Sequence, residues 1–142
     1  MKESPAVPRP LPARLLIVDD HELARTSLRL LLSGEPDLVI VGEASNGQEA
    51  ITLCHQLQPD LVLMNLRMPV MDGLTATRLI CQAYPATKVL ILTIAENPTY
   101  LIKAKQAGAS GYLFKDSTLQ ELVSAIRQVL QGQLVFPHQP PL

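Results

Sequence analysis

Five short apolar runs, each followed by an amphipathic stretch, set the tightest limit on what this chain can fold into. The runs are Leu15–Val18, Leu38–Val41, Leu61–Met64, Lys88–Ile94 and Gly111–Phe114. Continuous Val/Ile/Leu-rich runs of this length fit strands buried on both faces, not strands with one wet side. The stretches between them carry helical spacing. Ala50, Leu53, Cys54 and Leu57 follow it, as do Leu74, Thr77, Ile80 and Cys81, and Leu119, Leu122, Val123, Ile126, Val129 and Leu130. Asn97–Pro98 reads as a helix cap with proline at the first helical position, and Gly108 and Gly132 stand where helices end. Strict strand–helix alternation predicts an α/β chain, a doubly wound five-stranded parallel sheet covered on both faces. The binding crevice of such a sheet lies outside the carboxyl ends of its strands, near the switch in strand order.

Proline marks the edges. Residues 1–13 hold Pro5, Pro8, Pro10 and Pro12 and read as an N-terminal tail, because proline fixes φ and removes a backbone donor. The folded domain is expected over residues 14–132. Residues 133–142, with Pro137, Pro140 and Pro141, read as a C-terminal tail or the start of an interdomain linker. A length of 142 residues suits one domain. With 12 basic and 13 acidic residues the net charge is −1, which gives no electrostatic argument for nucleic acid or an anionic membrane. No apolar run reaches the ~18 residues of a membrane span, and the proline-rich start is unlike a secretory signal. Cys54 and Cys81 form no CxxC and sit among apolar residues, so they read as reduced core thiols. These features together point to the cytoplasm. His55 and His138 have no partner at ligand spacing, Arg25 and Arg29 read as a solvated helix face, and Met64, Met68 and Met71 as core and loop fillers.

The chemistry stands just past the apolar runs. Asp19 and Asp20 follow the first, Asn65 follows the third, Thr93 closes the fourth, and Lys115 follows the fifth. If the strands lie side by side, these residues meet in one crevice. Adjacent carboxylates repel unless something positive is near. A hard divalent cation such as Mg²⁺ suits oxygen ligands of this kind. A cation, an ammonium and a hydroxyl around one point form an apparatus for a phosphoryl group. For the acidic pair alone the plainer reading is that Asp20 caps the next helix and Asp19 is solvated. His21 then reads as a solvated first-turn residue.

The segments LLIVDDHELAR, PDLVLMNLRMPVMDGLTATR, KVLILT and AGASGYLFKD resemble the signature segments of receiver domains of two-component response regulators. The likeness runs from about Arg14 to Gln131. It implies a flavodoxin-like (βα)5 receiver fold and a phosphorelay in which a sensor histidine kinase hands a phosphoryl group to an aspartate at the third strand end. By the same resemblance Asp19 and Asp20 hold Mg²⁺, with Asp20 the direct ligand, helped by the backbone carbonyl of Arg67. Thr93 is the switch hydroxyl, Lys115 the phosphate-binding lysine, and Tyr112 the aromatic that turns inward on activation. Met68–Pro69 and Asp72–Gly73 match the loop after the acceptor. The AGASGYLFKD form is similar to the NarL/FixJ subfamily, whose members carry a LuxR-type helix-turn-helix. The stretch after Gln131 is too short for one, so the DNA-binding output domain is expected outside this chain, with no direct nucleic-acid contact here.

One position departs from the pattern. Asn65 stands where the family has its phospho-acceptor aspartate. An amide is no carboxylate nucleophile, so no acyl phosphate is expected. Its oxygen still accepts a hydrogen bond or touches a cation, but without formal charge. The site residues are then Asn65, Thr93 and Lys115, with Asp19, Asp20, Asn65 and the Arg67 carbonyl facing the metal. Each lost charge–charge interaction at ~4 Å is on the order of 1 to 4 kcal/mol, so Mg²⁺ should bind weakly. Two origins fit: an aspartate replaced to lock the unphosphorylated state, or a natural pseudo-receiver that acts as a protein-interaction module. An enzyme is not expected. A haloacid-dehalogenase-type phosphatase needs two aspartates two residues apart, and Asp19–Asp20 are adjacent. A flavin or nucleotide carrier needs a phosphate loop, and Asp19–Arg25 has no glycine. With no phosphoryl group, the inactive arrangement is expected: Tyr112 outward and Thr93 away from Asn65. At most a weak homodimer should form through the fourth helix, fifth strand and fifth helix, with Tyr100 and Lys103 on that face.

Overall fold

The computed structural model describes residues 11–94 and 97–137. Most of the proline-rich N-terminal tail lies outside these residues, as do His138, Pro140 and Pro141. The elements alternate as the apolar runs require: β1 (Ala13–Val18), α1 (Glu22–Leu32), β2 (Leu38–Ala44), α2 (Gly47–Leu57), β3 (Leu61–Met64), α3 (Gly73–Ala83), β4 (Lys88–Thr93), α4 (Pro98–Ala107), β5 (Gly111–Phe114) and α5 (Leu119–Leu130). All strand pairs are parallel, in the order β2-β1-β3-β4-β5. This is the doubly wound five-stranded sheet of the flavodoxin-like (βα)5 class. The order reverses at β1, which puts the crevice beside the carboxyl ends of β1 and β3.

The strand pleat sorts the core into two halves. Leu16, Val18, Val62, Met64, Val89 and Ile91 face one side and pack with Ala50, Ala76, Ile80 and Leu101 of α2, α3 and α4. Leu15, Ile17, Leu61, Leu63, Leu90 and Leu92 face the other and pack with Leu32 of α1 and Leu122, Ile126 and Val129 of α5. A period of two with apolar residues on both faces is why the runs read as unbroken.

Local chemistry fixes the helix starts near the crevice. The Asn46, Asp72, Asn97 and Thr118 side chains accept from backbone N–H groups of the first turns of α2, α3, α4 and α5, and Thr118–Glu121 forms a full capping box. Helix α1 differs. Its N-cap is His21, with no side-chain cap bond, so Asp20 does not cap it. Strand β2 runs three residues past its apolar run, to Ala44. As an edge strand it tolerates Gly42 and Glu43, and a register shift lies opposite Leu15/Leu16.

Past the expected boundary at 132 the chain keeps contact with the sheet. Gly132, at φ 92°, turns it back. Val135 then bridges Gly111 in parallel, donates to the Ser110 carbonyl at 3.0 Å and accepts from the Tyr112 N–H at 2.8 Å. Phe136 packs on the half-core that includes Tyr112, with the Lys105 ammonium 5.0 Å from its ring centre. Among the described residues no helix is long and apolar enough to cross a membrane.

Candidate functional site

The parallel sheet delivers its strand-end residues to one edge. Asp19 is 1 % exposed and its N–H continues the ladder to the Ala44 carbonyl. Asn65, 7 % exposed, donates its N–H to the Val18 carbonyl, and Lys115 donates its N–H to the carbonyl of Thr93, itself 1 % exposed. These residues span almost the whole domain in sequence. They sit together because parallel strands end together.

Lys115 Nζ reaches Asp19 Oδ2 at 2.5 Å. Burial pushes the Asp19 carboxyl up, but the Lys115 ammonium, the His21 backbone N–H and the His21 ring outweigh it and hold the group below its usual value. His21 N donates to Asp19 Oδ1 at 2.9 Å, and its Nδ1 lies 3.1 Å from that oxygen and 3.3 Å from Asp20 Oδ1. The ring is largely exposed, as a first-turn residue should be, yet it faces the acidic pair. Arg25 departs from its expected solvated face. Its Nη1 donates to the Asp19 carbonyl at 2.7 Å and its Nε pairs with Glu43 at 3.4 Å, while Arg29 Nη1 pairs with Glu43 at 2.7 Å. The acidic residue at 43 lies in the unexpected extension of β2, so sequence spacing alone gave no partner for these arginines.

Asn65 closes the other side of the pocket. Its Nδ2 donates to Asp20 Oδ1 at 3.2 Å and to the Arg67 carbonyl at 2.9 Å. The Arg67 guanidinium lies over the Tyr100 ring, 5.5 Å from its centre, and donates to the Tyr100 hydroxyl at 3.2 Å. The carboxylates and the Arg67 carbonyl are the hard oxygens that suit Mg²⁺. Two of them already accept from the amide.

Tyr112 stands inward, against the expectation. It is 2 % exposed and meets Phe114 edge-on at 5.8 Å. Burial raises its phenol above the usual value. Tyr112 belongs to the half-core that also holds Leu101 and Ala104 of α4 and has Phe136 packed against it, and the Val135 carbonyl ties the Tyr112 backbone N–H. A large aromatic gains apolar burial in such a core. Cys54 is fully buried and its thiol is pushed up to about 12, which suits a core thiol. Cys81, also raised by burial, donates to the Gly108 carbonyl.

Comparison with known proteins gives a consistent result. Residues 15–127 match the family model described as response regulator receiver domain. The chain is 42 % identical over 120 residues to the response regulator GacA of Pseudomonas aeruginosa, a match covering 84 % of this chain and 56 % of that protein. It is 36 % identical over 125 residues to the nitrate/nitrite response regulator protein NarL of Escherichia coli, covering 88 % of this chain and 58 % of that one. It thus spans little more than half the length of these relatives. Among solved structures, a two-component response regulator of the LuxR family from Aurantimonas sp. SI85-9A1 superposes with a TM-score of 0.83 at 40 % identity, over 87 % of this chain and 89 % of that one.

Proposed function

This chain belongs to the response regulator receiver domain family, and we propose that it is the receiver of a transcription-regulating two-component protein whose pocket no longer accepts phosphate. The observation that carries this is the convergence of Asp19, Asp20, Asn65, Thr93 and Lys115 on one edge of the sheet, with Lys115 paired to Asp19. The chemistry follows from the residues. Lys115 supplies fixed positive charge for a phosphoryl oxygen, and Thr93 supplies a hydroxyl. A cation held by Asp19, Asp20 and the Arg67 carbonyl would add positive charge to the same point. Asn65 would offer its amide oxygen only after turning over. In-line attack on a phosphoryl donor needs a carboxylate at position 65, and the amide there is not nucleophilic. The sensor histidine kinase is then a docking partner without a transfer step. The output domain lies outside this chain, the working place is the cytoplasm, and any homodimer is weak.

A second reading is favoured by Tyr112. Its buried position, in a chain whose residue 65 is an amide, suits a natural receiver that works as a protein-interaction module, with its signalling face set from the start. Incubation with acetyl phosphate and Mg²⁺, followed by intact mass, tests the main reading. The native chain should stay unmodified, and N65D should gain a hydroxylamine-labile phosphoryl group. Modification of the native chain would move the acceptor to Asp19 or Asp20 and refute this account of Asn65.

A further inference from the structure

The Asn65 side chain uses both amide hydrogens on the pocket's own oxygens, Asp20 Oδ1 at 3.2 Å and the Arg67 carbonyl at 2.9 Å. These oxygens come from different loops, one after β1 and one after β3. They are also oxygens that a hard cation would gather here. The other carboxylate, Asp19, is held by Lys115 Nζ at 2.5 Å and by the His21 N–H at 2.9 Å. Each carboxylate of the pair therefore has a donor from the chain itself. The loop that begins at Asn65 has little freedom to carry the amide away. Gly73 N–H donates to the Leu66 carbonyl at 2.7 Å, and Gly47 N–H donates to the Met71 carbonyl at 2.9 Å. A Cβ added at Gly73 would lie 2.0 Å from the Asn65 backbone oxygen, so the two strands of this loop are in direct contact.

We propose that the Asn65 amide replaces the divalent cation as the link between Asp20 and the Arg67 carbonyl, so that the pocket keeps its shape with no metal bound. An aspartate at this position would bring acceptor oxygens and a third negative charge beside Asp19 and Asp20, and would need a cation to settle them. The amide brings two donors and no charge. A metal entering the native pocket must break both amide bonds and turn the side chain over. The residue that removes phosphoryl transfer thus also removes dependence on metal. The inference rests on reading this pocket as a receiver pocket, and its test is separate from phosphoryl uptake.

The experiment compares the native chain with N65D by thermal unfolding, with a chelator and with Mg²⁺, and follows the Asn65 side-chain amide of the native chain by nitrogen-15 NMR. The native midpoint should not respond to Mg²⁺. N65D should unfold at a lower temperature than the native chain in chelator and recover as Mg²⁺ is added. Its Mg²⁺ affinity should exceed the native one by at least about tenfold. The native amide signals should stay unmoved through the titration. A native midpoint that climbs with Mg²⁺ as steeply as that of N65D overturns the proposal. So does a native Asn65 amide that shifts on Mg²⁺ addition, a readout that stands even if N65D folds poorly. Phosphoryl uptake by the native chain counts against the functional reading alone and leaves the metal comparison intact.

Discussion

Lys115 and Asp19 make the pair on which the pocket's charge balance turns. The Asp19 side chain is nearly inaccessible, while Lys115 keeps part of its contact with water. Lys115→Met leaves a buried carboxylate without its ammonium. The loss at neutral pH should be roughly 2–4 kcal/mol, somewhat under the usual cost of breaking a fully buried pair. The sign with pH is fixed. In the native chain the Asp19 pKa is lowered, so its contribution is present above the unfolded value of about 3.9 and fades as pH falls through the folded value. In the variant the lowering by Lys115 is lost while burial still raises the group, so less of that stabilisation remains above that range. Urea unfolding of both chains from pH 7 downward should show the gap closing below about pH 4; a constant gap would mean that Lys115 acts through packing. The acidic pair, Asn65, Thr93 and Lys115 were legible in sequence because each ends an apolar run, and parallel strands turn that position into a place. Arg25 and Tyr112 were not. Arg25 depends on Glu43, in a strand extension that no apolar pattern announced, and Tyr112 shares its half-core with Phe136 and its backbone bond with Val135, both residues assigned to a tail.

At the scale of elements, the starts of the helices lie at the same rim as the strand ends. Helix α5 begins just after Lys115 with a reciprocal capping box between Thr118 and Glu121. Thr118→Ala removes one half of it and should cost about 1 kcal/mol, read as a lower denaturant midpoint with unchanged slope. At the other end of α4, Gly108 holds φ 99° with its missing Cβ directed at Cys81, 3.1 Å away. Gly108→Ala should therefore lose on the order of 1 kcal/mol or more, through backbone strain and crowding together. An equally stable variant would show that the α4–β5 turn relaxes freely. The glycine was readable beforehand from its place after a periodic stretch, and the start of α4 from Asn97–Pro98, whereas the Thr118–Glu121 box was not read from the sequence. The extent of β2 was not, because an edge strand is only half covered and its polar residues break the apolar run.

For the whole molecule, two half-cores share one sheet, so a central strand supports both layers through alternate residues. Leu63 of β3, 1 % exposed, packs toward α1 and α5. Leu63→Ala should cost about 2–5 kcal/mol, a large part of the roughly 5–15 kcal/mol typical of such a domain, and calorimetry should show the Tm drop. The alternation and topology were legible from the five runs, whereas the last contact of the chain with the sheet was hidden by the proline-rich composition around it. Val135→Pro removes the N–H that Val135 gives to Ser110. It should speed hydrogen exchange at the Tyr112 amide and leave the Asn65 amide unchanged. Slow exchange at Tyr112 in that variant would mean that Phe136 alone holds the segment. The same segment also sets a direction of exit. Helix α5 travels away from the pocket, toward the amino ends of the strands, and anything grafted at Gly132 would depart from that far rim. Because Val135 lies parallel to β5, the backbone reverses and climbs again beside Tyr112. From Val135 to Pro137 the backbone therefore runs toward the rim that carries Asp19 and Lys115, anchored where the Val135 carbonyl accepts from the Tyr112 N–H.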